Sequence, residues 1–236
     1  MNTSFDTKTA ARKAVWDALE AQGIARFPFP PHGRIPNFDG AATAAERLFE
    51  QGPFAGANRL KVNPDAPQRH VRIEALHRGC EVLVPTPRLR GGFKRLDPDS
   101  IPDDEHKAAA SLSNMDAWAE PVALDDMPPL DGIVTGSVAV TRSGRRCGKG
   151  EGFSDLEYAI LLELGHDPAP VATTVHPIQV VEQVPTDAHD LPLSWIVTPD
   201  ETIEVDDPPA PPTGIDWNAL SAADLEEMPV LRELRE

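Results

Sequence analysis

The sequence predicts an α/β fold in which helices cover a largely parallel β-sheet. Short apolar, β-branched runs of buried-strand type recur along the chain, separated by helical or polar segments. The runs are EVLVP, AEPVAL, DGIVTGSVAVT, VATTVHP and SWIVTP. Such alternation is typical of proteins with a parallel sheet. Because the chain has 236 residues, it can bury a full core, and we expect one large α/β domain over residues 1–205.

Helical patterns lie between and before these runs. Val15 and Leu19 belong to a helix near the amino end, which Gly23 can cap. The Pro- and Gly-rich stretch FPFPPHGRIPNFDG then predicts an ordered surface loop. A short helix is expected over residues 41–50, and QRHVRIEALHRG predicts another that ends at Gly79, directly before EVLVP.

Residues 206–236 differ from the rest in composition. They begin with a Pro-rich acidic linker, DDPPAPPTG. Apolar residues then recur at the spacing of one helical face: Trp217, Leu220, Leu225, Met228 and Leu231. Because burying that face is favourable, we predict a C-terminal helix docked on the domain. The alternative is a disordered acidic tail.

The charge of the chain limits its partners. Lys and Arg number 22 against 38 Asp and Glu, which gives a net charge of −16. A surface of this sign repels phosphate backbones and anionic membranes, so we expect neither nucleic acid nor a membrane as a partner. The acid excess is accompanied by scarce lysine, which favours a halophilic protein hydrated in concentrated salt.

The compartment is inferred from features that the sequence lacks. The first residues have no apolar core of a signal peptide, and the apolar stretch over residues 133–140 is too short to span a bilayer. Cys80 and Cys147 are far apart and indicate neither a disulfide framework nor a zinc cluster. We therefore expect a soluble, cytoplasmic protein.

The most informative segment is SGRRCGKGEGFSDLEYAILLELG, residues 143–165. It follows a predicted strand and precedes a helix whose start is marked by Ser154 and Glu157 in a capping-box pattern. The loop before that helix has glycine at alternate positions: Gly148, Gly150 and Gly152. Glycine lets the backbone approach a ligand closely, and a helix N-terminus favours an anion. Phosphate is therefore the predicted ligand.

Cations in the same loop strengthen this prediction. Arg145, Arg146 and Lys149 lie close together in a chain with few basic residues, and arginine can hold phosphate with two hydrogen bonds. The spacing matches neither a Walker motif nor a dinucleotide-binding fingerprint. The composition alone is equally compatible with a glycine-rich surface turn that carries solvated arginines.

The segment GRRCGKGEGFSDLEYA resembles the GxRLGxGxGYYD signature of the 5-formyltetrahydrofolate cyclo-ligase family, the methenyltetrahydrofolate synthetases. The Lys-x-x-x-Arg pair near the family's amino end is matched by Lys8 and Arg12, and its closing segment by His189, Asp190 and IVTP. The chain is similar above all to a branch of domain-containing proteins that share RIPNF, LVPTPRLR, GSVAV and GKGEG. The resemblance covers residues 8–204.

This resemblance implies a three-layer αβα sandwich similar to ribose-5-phosphate isomerase and the CoA transferases. It also implies a reaction in which ATP and Mg²⁺ drive cyclisation of 5-formyltetrahydrofolate to 5,10-methenyltetrahydrofolate. The formyl oxygen attacks the γ-phosphate, and N10 then closes the ring with loss of phosphate. Catalysis of this kind needs mainly positioning and charge neutralisation. The implied partner is thus a small molecule, a reduced folate, bound by a monomer or dimer.

The resemblance also implies a set of site residues. Those expected to hold the nucleotide are Lys8, Arg12, Arg146, Gly148, Lys149, Gly150 and Gly152. Arg146 and Lys149 are the implied catalytic cations. Asp155 and Asp190 are the implied ligands of Mg²⁺, since carboxylates suit a hard cation.

Several of these residues also have a purely structural interpretation. Lys8 and Arg12 lie one turn apart, as on any solvated helix face, and Asp155 can be a first-turn acid favoured by the helix dipole. Arg88 and Arg90 follow a strand and can either reach the site or pair with surface acids.

The chain departs from the family pattern at three positions. Phe153 and Ser154 stand where the family has two tyrosines, and Glu151 stands where it commonly has lysine. The nucleotide half of the site is therefore better matched than the folate half. The alternative function is a non-catalytic nucleotide- or phosphometabolite-binding protein on the same fold. A sugar-phosphate isomerase would need a carboxylate base beside a sugar pocket, which we do not find in the sequence.

Overall fold

The computed structural model of the protein describes residues 3–218 and 220–235. The α-helices are α1 (Lys8–Ala21), α2 (Ala41–Leu48), α3 (Gln68–His77), α4 (His106–Ala109), α5 (Phe153–Glu163), α6 (Ala222–Glu227) and α7 (Val230–Glu233). The strands are β1 (Ala25–Arg26), β2 (Asn37–Phe38), β3 (Arg59–Val62), β4 (Glu81–Pro85), β5 (Phe93–Leu96), β6 (Glu120–Val122), β7 (Gly132–Thr135), β8 (Ala139–Thr141), β9 (Arg146–Cys147), β10 (Val171–Thr174), β11 (Val180–Val181), β12 (Trp195–Val197) and β13 (Thr202–Glu204).

The central sheet has eight strands in the order β13-β12-β10-β7-β3-β4-β5-β6. The middle strands, β12, β10, β7, β3 and β4, are parallel, and the edge strands pair in antiparallel fashion. The chain enters this sheet at β3, adds β4 on one side, and later returns to add β7 on the other side. Strand order therefore reverses between β3 and β7, and parallel sheets bind ligands outside the carboxyl ends of strands at such a point.

Helices cover both faces of the sheet. Ile133 of β7 packs in a core with α5, while the next residue, Val134, packs in a second core with α2 and α3. This alternation follows from the two-residue period of a strand. The predicted three-layer αβα sandwich with a largely parallel sheet is confirmed. Among the described residues, no helix is both long and apolar enough to cross a membrane.

The run DGIVTGSVAVT, predicted as a single strand, is divided between two sheets. Its first part is β7, and its second part is β8 of a three-stranded sheet ordered β11-β8-β9. Gly136 lies at the break, where a Cβ atom would stand 2.9 Å from Ile35 and 3.0 Å from Asp65 Oδ2. The small sheet packs against α1 through Val138 and Ala139. It therefore brings the amino-terminal helix next to the glycine-rich loop that follows β9.

The C-terminal segment differs from its prediction. The helix expected from the apolar spacing is two short helices, α6 and α7, separated at Met228 and Pro229, because proline lacks the N–H that a continuous helix needs. Trp217 lies before α6. Met228 and Leu231 are buried in the same core as α5. The division of the chain at residue 205 stays a prediction.

The strand predicted from AEPVAL also differs in its setting. It forms β6, the antiparallel edge of the sheet, where Glu120 and Pro121 are exposed. Proline fits an edge strand because it cannot donate to a ladder of hydrogen bonds. The run is therefore not a buried central strand.

Candidate functional site

A cavity of about 810 Å³ opens at the carboxyl end of β3, where the strand order reverses. Separate parts of the chain line it: α1, the loop over residues 27–37, the loop over residues 63–66, the glycine-rich loop that leads into α5, and the loop over residues 187–190. Since these segments are far apart in sequence, the cavity exists only in the folded chain.

The residues predicted from the motifs converge on this cavity. It is lined by Lys8, Arg12, Arg146, Gly148, Lys149, Gly150, Gly152, Asp155 and Asp190. Burial of the apolar side of α1, with Ala11 and Val15 fully inaccessible, turns its basic side toward the cavity. The structure therefore brings together what the sequence placed at opposite ends of the domain.

A direct contact joins α1 to the glycine-rich loop. Arg12 Nε donates a hydrogen bond of 2.7 Å to the carbonyl oxygen of Gly148. Gly150 has φ of +110°, and a Cβ atom there would lie 3.2 Å from Arg12 Cζ. Glycine is therefore required at position 150 both for the backbone conformation and for the close approach of the guanidinium.

Arg146 is the most buried of the predicted cations, with 5% of its surface exposed. Its Nη1 donates to the carbonyl oxygen of Gly136 at 3.0 Å, and its Nη2 donates to Asp155 Oδ1 at 2.5 Å. Burial opposes the charge, but the Asp155 carboxylate raises the pKa of Arg146 above its ordinary value. Arg146 Nε is buried without a hydrogen-bond partner among the described residues. A ligand atom could satisfy that donor.

The two lysines of the predicted site, Lys8 and Lys149, are also paired with carboxylates. Lys8 Nζ lies 2.6 Å from Asp190 Oδ1 and 2.7 Å from Asp187 Oδ2. Burial lowers the pKa of Lys8, but hydrogen bonds to these two carboxylates outweigh it and raise the pKa. Lys149 Nζ lies 2.7 Å from Glu151 Oε2. An incoming phosphate would therefore compete with protein carboxylates for these cations.

The carboxylates at one side of the cavity have the chemistry of a site for a hard cation. Ligand atoms of Asp187, His189 and Asp190 lie within 4.8 Å of one another, and carboxylate oxygens are ligands that Mg²⁺ prefers. Asp155 is outside this group, and its Oδ1 accepts from Arg146 and from the Leu191 amide at 2.9 Å. Asp155 as a metal ligand stays a prediction.

The capping box predicted at the start of α5 is wrong. The N-cap is Gly152, in a left-handed conformation with φ of 73°, and no side chain caps the helix. Ser154 Oγ instead accepts a hydrogen bond of 2.8 Å from Asn63 Nδ2. Glu157 forms a buried ion pair with Lys61 of β3. Both side chains are engaged by β3 or by Asn63 directly after it, and the local spacing does not reveal these long-range contacts.

The contribution of β3 and of the residue after it, Asn63, to the site was not predicted from the sequence. Lys61 of β3 and Asn63, the residue after the strand, are two positions apart, and both side chains contact α5, Lys61 at Glu157 and Asn63 at Ser154. Both are buried, at 1% and 3% exposure. A lysine inside a strand interrupts the apolar pattern and so hid β3, although the polar residues Lys61 and Asn63 on either side of Val62 were a usable signal.

The loop after β3 places another carboxyl group, Asp65, in the cavity wall. Burial raises the pKa of Asp65, and the nearby cations Lys149 and Arg72 oppose that rise. Arg72 of α3 is itself buried, which lowers its pKa to about 9. Its guanidinium donates to the backbone carbonyls of Asn63 and Asp65 and so holds this loop in place.

Apolar and basic side chains surround the mouth of the cavity. Phe27 and Leu112 both line it and are exposed to 78% and 51%. Arg88 also lines the cavity, and its Nη1 lies 3.2 Å from Glu227 Oε1 of α6. The C-terminal segment thus contacts a residue of the site.

The chain has clear relatives. A model of the 5-formyltetrahydrofolate cyclo-ligase family matches residues 8–199. The methenyltetrahydrofolate synthase domain-containing protein of Mus musculus is 43% identical over an alignment of 236 positions. The alignment covers 98% of this chain and 63% of that protein. Its Bos taurus counterpart is 41% identical, with 97% and 62% covered. The chain therefore spans less than two thirds of the length of these curated relatives.

A solved structure shares the fold. The NMR structure of Aquifex aeolicus 5,10-methenyltetrahydrofolate synthetase superposes with a TM-score of 0.53 at 17% sequence identity, covering 90% of this chain and 99% of that one. At this identity the likeness concerns the architecture, and the chemistry of the cavity has to be argued from its own residues.

Proposed function

The chain belongs to the 5-formyltetrahydrofolate cyclo-ligase family, and from that premise we propose that it catalyses the ATP- and Mg²⁺-dependent conversion of 5-formyltetrahydrofolate to 5,10-methenyltetrahydrofolate. The observation that carries the proposal is the meeting of four cations, Lys8, Arg12, Arg146 and Lys149, in one cavity at the strand-order reversal. Such a cluster is unusual in a chain with a net charge of −16, and it suits a polyphosphate.

In this proposal the side chains neutralise and position the triphosphate. Lys149 and Arg12 exchange their present partners for phosphate oxygens. Arg146, the most buried of these cations, adds its positive charge. Transfer of the γ-phosphoryl group to the formyl oxygen turns a poor leaving group into phosphate, which N10 then displaces. Charge develops on the phosphoryl oxygens during this transfer, so cations aimed there lower the barrier.

Mg²⁺, when bound, would supply further neutralisation of phosphate charge. Asp190 and Asp187 have the oxygen donors to hold it, and Lys8 now neutralises both carboxylates. Replacement of Lys8 by the metal ion would free the lysine for phosphate. Metal ion and nucleotide are therefore expected to favour each other's binding.

The test is a spectrophotometric assay for methenyltetrahydrofolate formed from 5-formyltetrahydrofolate with Mg-ATP in concentrated KCl. We expect activity in the unmodified protein and a loss of about tenfold or more in Lys149→Ala, because one charge-assisted phosphate contact is removed. The matched control is Arg142→Ala, since Arg142 is exposed and pairs with Glu201 outside the cavity. Absence of product with all three proteins would overturn the proposed reaction.

The second candidate is a non-catalytic nucleotide- or phosphometabolite-binding protein. The Lys149–Glu151 ion pair favours it, because a carboxylate at 151 offsets a cation that the reaction needs. Calorimetric titration separates the two candidates: binding of Mg-ATP without turnover supports this second function, and turnover supports the first.

A further inference from the structure

A chain of polar contacts runs from the middle of the sheet to the cavity wall. Glu157 pairs with Lys61, Lys61 Nζ donates to Asn63 Oδ1 at 2.6 Å, and Asn63 Nδ2 donates to Ser154 Oγ at 2.8 Å. The first three residues are nearly inaccessible, at 3%, 1% and 3% exposure. Ser154 is partly buried, and it lines the cavity together with Asn63 and Glu157.

Each contact in this chain has only one possible direction. A lysine ammonium group can only donate, so Asn63 must turn its amide oxygen toward Lys61 and its NH₂ group toward Ser154. The serine oxygen is then an acceptor in this bond. A hydroxyl group carries one hydrogen, and no acceptor for it is recorded among the described residues, so that hydrogen is available to the cavity.

We propose that Ser154 donates a hydrogen bond to an oxygen atom of the bound ligand, and that the Lys61–Glu157 ion pair is a positioning element that acts through Asn63. The proposal deepens the proposed function and rests on it, because the ligand oxygen belongs either to the triphosphate or to the carbonyl or formyl groups of the folate. Ser154 stands where the family signature has tyrosine. In this proposal the shorter hydroxyl-bearing side chain of Ser154, oriented by Asn63 and Lys61, determines specificity in this chain.

The first test is calorimetric titration of Mg-ATP and of 5-formyltetrahydrofolate, separately, into the whole chain. Ser154→Ala is expected to weaken one of the two ligands by about tenfold, as for a hydrogen bond to a charged or strongly polar acceptor. The ligand that weakens identifies the oxygen. Ser154→Thr retains the hydroxyl and is expected to stay within about threefold of the wild type. The control is Ser143→Ala, an exposed serine bonded to Thr141 outside the cavity.

The second test addresses the ion pair. Removal of one partner would strand a buried charge, so both are replaced, as Lys61→Met with Glu157→Met, which often leaves a fold equally stable or more so. We expect an unchanged or higher melting temperature, yet an affinity about threefold or more below the wild type, because the Asn63 amide is free to rotate. Ser154→Ala added to this background should cost less than it does alone.

The outcomes decide the proposal without ambiguity. If Ser154→Ala binds both ligands like the wild type, Ser154 is not a ligand contact and the inference is wrong, while the proposed function stands. If the double variant folds and binds like the wild type, the positioning role is overturned. If the wild type binds neither ligand, the proposed function fails and this inference fails with it.

Discussion

At the scale of single residues, three cations of the site, Lys8, Arg146 and Lys149, already have carboxylate partners. Glu151 shows the consequence most directly, since it is exposed and pairs with Lys149 at 2.7 Å. Glu151→Lys should tighten Mg-ATP by on the order of 1 kcal/mol, about fivefold, because a repulsive charge is replaced and Lys149 is released. Calorimetric titration at low and at high KCl measures the change.

Salt dependence provides the control for the Glu151 substitution. A gain that arises from charge should shrink in concentrated KCl, because exposed charges are screened. An equal gain at both salt concentrations, or none at either, would contradict direct repulsion at position 151. Loss of Mg²⁺-dependent affinity would mean that Glu151 serves the metal ion instead.

Asp65 gives the site a pH dependence of known sign. Burial raises its pKa above the ordinary 3.8, so the folded chain holds its proton more tightly than the unfolded chain. Stability is then lost as pH rises from 3.8 through the raised folded value. Asp65→Asn cannot ionise, and its free energy of unfolding relative to the wild type should increase across that window and then level off.

Urea unfolding over a pH series measures this difference. The matched control is Asp125→Asn, since Asp125 is exposed and lies outside the cavity. We expect a flat difference between that variant and the wild type. If the difference in free energy of unfolding between Asp65→Asn and the wild type is also independent of pH, the Asp65 carboxyl is solvated in the folded chain and the prediction is wrong.

At the scale of elements, the start of α5 depends on a glycine. Gly152 is the N-cap with φ of 73°, and a Cβ atom there would meet nothing within 4 Å. Gly152→Ala therefore tests backbone conformation without a steric clash, and it should cost about 1 kcal/mol of stability because a left-handed conformation disfavours a Cβ atom. Chemical denaturation measures the loss.

Gly56→Ala is the matched control for Gly152→Ala. Gly56 also has open space around its Cβ position, but no positive φ is recorded there. Equal effects of the two substitutions would show that the loss comes from removal of glycine in general and not from the left-handed N-cap.

The elements also show where prediction from sequence succeeded. The glycine-rich loop was found because glycines and cations cluster within a few positions, and α1 because its apolar residues recur at helical spacing. The strand β3 was missed because Lys61, which is buried and paired with Glu157, breaks the apolar run. The predicted capping box failed because Ser154 and Glu157 bond instead to Asn63 and Lys61, which are distant in sequence.

At the scale of the whole molecule, the family and the three-layer fold were predictable from sequence and are confirmed. Convergence of Lys8, Arg146 and Asp190 was expected only through the resemblance, because spacing along the chain says nothing of contacts between its two ends. Which carboxylate neutralises which cation was not predictable at all. Those pairings depend on side-chain distances that appear only when α1, the glycine-rich loop and the loop over residues 187–190 are assembled.

The net charge of −16 makes a prediction for the molecule as a whole. Mutual repulsion of surface carboxylates opposes folding, and it acts over about 10 Å at 0.1 M salt but only about 3 Å at 1 M. Added KCl also weakens exposed ion pairs such as Arg142–Glu201, but each such pair contributes at most about 1 kcal/mol. Release of repulsion should dominate, so the melting temperature should rise from dilute buffer to molar KCl, as a calorimetric scan would measure. Greatest stability in dilute buffer would refute the inference that the acidic surface is an adaptation to salt.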